Sequence, residues 1–118
     1  MNGLMLLRWQ WEGYPRYHQS RRNLLIHIVV VPLFLLGNIA LLGAVLQGSW
    51  FTALLAIAAM VASVAVQGRG HAMEPIPAEP FTSKFNAVSR IYCEQWVTFP
   101  RFVVSGGWVN ALRRAPAA

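Results

Sequence analysis

From Asn23 to Gly68 the chain contains no Asp, Glu, Lys or Arg. A helix needs about 20 apolar residues to cross the hydrocarbon core of a bilayer. The interval is therefore long enough for two crossings, and uncharged runs of this length read as membrane spans first. Its only polar, turn-like cluster is "QGSW", Gln47 to Trp50. The first span is then about Leu24–Leu46 and the second about Trp50–Val66. A buried hairpin in a soluble helical oligomer is the alternative.

Charge placement supports the membrane reading. Only 12% of the residues are charged, against about 25% in a typical soluble domain. The net charge of +6 comes from ten Lys and Arg against four acids. A nucleic-acid binder would carry such an excess along one exposed face, whereas here it is shut out of the whole middle of the chain. Membrane lipid is the expected partner and nucleic acid is not. Arg8, Arg16, Arg21 and Arg22 precede the first span; Arg69, Lys84, Arg90, Arg101, Arg113 and Arg114 follow the second. The intervening turn has none, so both termini are expected in the cytoplasm of a bacterial inner-membrane protein. Cys93 is the only cysteine, so no intrachain disulfide forms. The start, "MNGLMLLRWQWEGYPRYH", lacks the pattern of a signal peptide.

The fold class that follows is an all-α membrane protein, a single domain over 1–118. It comprises a two-span transmembrane helical hairpin plus an amphipathic interfacial helix. Gly37, Ala40 and Ala44 face Ala56, Ala59 and Ser63 as small residues that let helix backbones approach. Asn38 is expected to bond across to the partner helix, and Pro32 to kink the first span by removing a bond to Ile28. "EPIPAEP" is extended or turning. In "FNAVSRIYCEQWVTF", Phe85, Val88, Tyr92, Trp96 and Phe99 recur at helical intervals. Asn86, Ser89, Arg90 and Glu94 fall elsewhere around the cylinder. That predicts the amphipathic helix over about 83–99, ended by Pro100.

The chain's few ionisable groups gather where the second span ends. With the turn at Gly48, His27 lies as far before it as Arg69 lies after it, so His27 and His71 sit at nearly the same depth. Asn23 precedes His27 by one helical turn and is placed to hold its ring. His18 lies about half a revolution from His27 on a continuous helix. It joins the site only if the helix starts after it, with Ser20 as N-cap; otherwise it is a surface residue beside Tyr17. Glu74 follows His71 by three, so both could bind one metal; alternatively Glu74 and Glu79 neutralise nearby arginines. Three histidines and a carboxylate without cysteine suit Fe(II), Mn(II) or Zn(II).

"YHQSRRNLLIH" with "QGRGH…E…PA" resembles the paired signature of the small membrane 2-hydroxy fatty acid dioxygenases of fatty-acid α-oxidation, a family long catalogued as a domain of unknown function. His18, Asn23, His27 and Pro32 match the first half; Gln67, Gly70, His71, Glu74, Pro77 and Ala78 match the second. "EQWVTFPRFVVSGGW" is similar to a bacterial branch of that family. The family's acid follows the histidine by four positions, here by three. The resemblance implies an Fe(II)-dependent dioxygenase that uses O2 to remove the carboxyl carbon of a 2-hydroxy fatty acid. It implies His18, His27 and His71 as iron ligands, Glu74 as the fourth, and Asn23 and Gln67 beside them. Arg21, Arg22 or Arg69 would pair with the substrate carboxylate, or with anionic lipid. A homo-oligomer could enclose the acyl chain. The other functions open to such a chain are a haem-binding membrane electron carrier, with haem between His27 and His71, and a non-catalytic membrane scaffold.

Overall fold

A computed structural model of the chain describes residues 2–117. Asn2 starts the first helix, α1 (Gly3–Gly13), its side chain accepting a hydrogen bond from the Met5 amide. The chain tightens through a 3-10 turn at Tyr14–Tyr17, where Pro15 occupies the first turn, and runs extended to Ser20. Ser20 caps α2 (Arg21–Gln47) through its hydroxyl, which accepts from the Asn23 amide. Gly48 ends α2 in the left-handed region at φ +69°, a conformation open to glycine at no steric cost. Ser49 then bonds back to the Ala44 carbonyl and begins α3 (Trp50–Ala72).

Both α2 and α3 are long and apolar enough to cross a membrane. Three contacts show them running antiparallel. A side chain at Gly37 would strike Met60, the Ser63 hydroxyl donates to the Val30 carbonyl, and Gly70 lies against Asn23. The seam of α3 is Ala53, Ala56, Ser63, Gln67 and Gly70, all buried. Gly37 and Ala44 face it, whereas Ala40, expected in the seam, is exposed. Asn38 does not reach across either: its amide donates to the Phe34 carbonyl of its own helix at 2.8 Å. Pro32 lies inside α2 without ending it. α3 outlasts its apolar stretch, continuing past Val66 to carry His71 in its last turn.

The rest of the chain packs around the start of α2 and the end of α3. α4 (Lys84–Cys93) runs without a break into a π turn (Glu94–Thr98) and then α5 (Phe99–Val104). Pro100, expected to end the helix, sits in the first turn of α5, where a missing amide hydrogen is tolerated. The Phe99 amide already reaches back five residues to the Glu94 carbonyl, so the wide turn has broken the ordinary ladder before the proline arrives. α6 (Gly107–Arg114) returns to α2, where the Trp108 indole donates to the Leu24 carbonyl at 2.9 Å. Tyr14, Leu24, Val31, Phe99 and Phe102 form the buried apolar core. Among the described residues there is no strand.

Candidate metal centre

Four side chains from four parts of the chain meet beneath that core. His18 lies in the link before α2, outside the helix. Its Nδ1 is 2.8 Å from the Tyr14 carbonyl, and its ring stacks on the Tyr14 ring at 3.7 Å and 12°. His27 lies in the second turn of α2, its Nδ1 3.0 Å from the Asn23 carbonyl. A carbonyl only accepts, so both Nδ1 atoms carry a proton, and in the neutral form of each ring the lone pair lies on Nε2. His71 comes from the last turn of α3 and Glu94 from the first position of the π turn.

The three rings stand nearly perpendicular to one another, with centroids 4.8 to 5.0 Å apart. One ligand atom from each of His18, His27, His71 and Glu94 lies within 4.8 Å of the others. Glu94 Oε2 is 3.5 Å from His18 Nε2 and 3.6 Å from His27 Nε2. Those separations are within ion-pairing range but too long for hydrogen bonds. Both Nε2 atoms and His71 Nδ1 are buried with no hydrogen-bond partner. Buried acceptors normally find a donor. Here lone pairs of two imidazoles converge with a carboxylate, an unfavourable arrangement that a shared cation relieves. Ligand bonds of about 2.1 Å in tetrahedral array put neighbouring ligand atoms about 3.4 Å apart, close to the two Glu94–histidine separations. The donor set contains no sulfur and suits Fe(II), Mn(II) or Zn(II).

Glu74, expected as the fourth ligand, is engaged elsewhere. Its carboxylate accepts from the Gln19 amide at 2.7 Å, the Ser20 amide at 3.0 Å and Asn23 Nδ2 at 2.8 Å. A charge there satisfies free amides at the head of α2 and favours the helix dipole. Asn23 therefore holds His27 through its backbone carbonyl, and its side chain serves Glu74. Gln67 points to Gln95, not to a histidine. The two amides donate to each other at 2.9 and 2.8 Å, and Gln67 also donates to Ser63. Arg22 and Arg69 are exposed, and Arg21 lies 3.4 Å from the Leu112 carbonyl. None of the three lines the cavity that reaches the cluster.

That cavity, of about 220 Å³, opens between α1, the segment after α3, and α4. His18, His71 and Glu94 form its floor, with Trp9, Phe81 and Ile91 among its walls. Its cation is Arg90, whose guanidinium lies between the Trp9 and Phe81 rings at 5.0 and 4.5 Å. Arg90 donates to the Glu79 and Pro80 carbonyls and fastens the proline-rich segment over the opening.

Glu94 is the residue that periodicity left on the polar side of an amphipathic helix. The signal available was its rarity: it is one of four acids in the chain, set among aromatics. Burial works against its charge; protonated His18 and His27 rings, facing it from Nε2, outweigh that and hold the carboxyl well below the usual range, and a cation shared with the neutral rings would act in the same sense. Tyr14 shows the opposite: burial first, then the Glu94 charge, raise its phenol well above the ordinary value. No family model, curated protein or solved structure matches the chain.

Proposed function

We propose that this is a helical membrane protein whose α2–α3 hairpin crosses the bilayer twice. We further propose that it acts as an Fe(II)-dependent dioxygenase shortening 2-hydroxy fatty acids by one carbon. The observation carrying the catalytic reading is the convergence of His18, His27, His71 and Glu94 with their buried nitrogens unpartnered. Supporting the membrane reading are the large apolar side chains that α2 and α3 turn outward, among them Leu36, Leu42, Val45, Leu54 and Val61. Exposed apolar surface of this extent calls for lipid or a partner. The arginines flanking the hairpin favour a cytoplasmic side for both termini, and a bacterial inner membrane is the setting we propose. Trp50 then lies at the far interface, with α4 in the near one.

In this reading the three histidines and Glu94 hold the iron. When bound, it supplies O2 activation and a Lewis-acid anchor for the hydroxy-carboxylate. The protein does the rest. Trp9, Phe81 and Ile91 exclude water from the first carbons of the chain, and the carbonyls of Tyr14 and Asn23 keep the His18 and His27 rings oriented. The stoichiometry closes with O2 alone. The 2-hydroxy acid and O2 give the acid one carbon shorter, CO2 and water, with the substrate's four electrons reducing O2.

A haem between His27 and His71 is disfavoured, because the flat macrocycle would need the space where His18 and Glu94 stand. A non-catalytic scaffold would leave the unpartnered nitrogens unexplained. The test is anaerobic purification with elemental analysis, then incubation with 2-hydroxypalmitate and O2. Iron near one equivalent, and pentadecanoate formed as O2 is consumed, are expected. Iron-loaded protein that leaves the hydroxy acid intact would sink the proposal.

A further inference from the structure

His18 and Glu94 come from opposite ends of the chain, and one residue touches both. Tyr14 accepts from His18 Nδ1 at its carbonyl, stacks its ring on the imidazole, and donates its hydroxyl to Glu94 Oε2 at 2.7 Å. That oxygen is the one facing Nε2 of His18 and of His27. We propose that Tyr14 is the positioning residue of the metal centre, fixing two of its four ligands in coordinating register through three separate contacts. The assignment rests on the metal-site reading above and adds to it the residue on which the geometry depends.

The physical case is one of freedom removed. A glutamate has three side-chain torsions, and Glu94 borders the open cavity, so its carboxylate has room to swing off the histidines. The Tyr14 hydroxyl removes that freedom. Its own aim is fixed by packing: the ring is buried against Phe102 at 4.9 Å and Phe99 at 6.5 Å. A buried phenol needs a hydrogen-bond partner, and Glu94 is the partner Tyr14 has. Groups that orient a metal ligand in this way typically change metal affinity by about 10- to 100-fold when removed.

Tyr14→Phe keeps the ring, the stack and the carbonyl and deletes only the O–H. The experiment uses full-length protein in detergent with Co(II) as probe, reading affinity by chelator competition and geometry by visible absorption. Tyr14→Phe is expected to weaken Co(II) by about 10- to 100-fold and shift its absorption bands. In a Glu94→Ala background the same change is expected to do nothing further, since the carboxylate it acts through is gone. Equal affinity in Tyr14→Phe and the parent would overturn the proposal. So would a loss of the same size in the Glu94→Ala background, which would mark general loosening. A parent protein that takes up no Co(II) would remove the metal centre itself, and Tyr14's role with it.

Discussion

Two carboxylates lie near the histidines, and their hydrogen-bond partners give them different work. Glu74 satisfies two backbone amides and one side-chain amide at the head of α2, while Glu94 faces imidazole nitrogens that nothing satisfies. Each buried donor left unpaired costs about 1–3 kcal/mol. Glu74→Ala is therefore expected to destabilise the fold by about 3 kcal/mol, with a secondary loss of metal through a loosened His18. Glu94→Ala strands one buried donor, the Tyr14 hydroxyl, and should cost about 1–3 kcal/mol while losing metal affinity directly. Denaturant unfolding and metal analysis on both variants separate the two; a Glu94→Ala protein with parental metal affinity would exclude that residue as a ligand. Counting residues from the Gly48 turn was enough to put His27 and His71 at one level. It could not tell Glu74 from Glu94, because which acid faces the histidines depends on where a distant helix docks.

Among the elements, α4 shows why its role was hard to read. Its aromatic and aliphatic stripe was legible, but Phe85 and Val88 turn outward, with Trp96 half-exposed, while Arg90 and Glu94 border the buried site. The convention of apolar-side-in holds for a helix facing water; under the membrane reading proposed above the outer surroundings would be lipid, and the convention would reverse. The π turn was illegible for another reason. It has no sequence period of its own, and it is specified by contacts such as Gln95 with Gln67. That pair is a closed amide exchange in a buried setting, tying the π turn to α3 one turn below His71. Gln67→Leu strands the Gln95 amide and is expected to cost about 2 kcal/mol. Gln67→Leu with Gln95→Leu leaves no polar group unsatisfied and should recover most of that loss. Equal unfolding midpoints for the single and double variants would show that the exchange is not what holds the turn.

Across the whole molecule, the helical class and the two long apolar helices follow from the uncharged interval alone, whereas the packing of the terminal segments onto them depends on the site. The link before α2, α2 itself, α3 and the π turn each contribute one candidate ligand, so a bound ion is a cross-link joining residues 18, 27, 71 and 94. Binding to the folded chain alone stabilises it by mass action, about 4 kcal/mol when free metal exceeds its dissociation constant a thousandfold. Metal removal should therefore lower the thermal midpoint of the parent protein in detergent, and each tenfold fall in free metal should remove about 1.4 kcal/mol until the site is empty. The loss should appear first as faster amide exchange in the turn at Tyr14–Tyr17, whose residue Tyr14 bonds both His18 and Glu94. His71→Ala, lacking one ligand, should start from the lower midpoint and show little response to chelator. A parent protein whose midpoint and exchange pattern are the same with and without chelator would mean that the four side chains share no ion, and the unpartnered nitrogens would need another explanation.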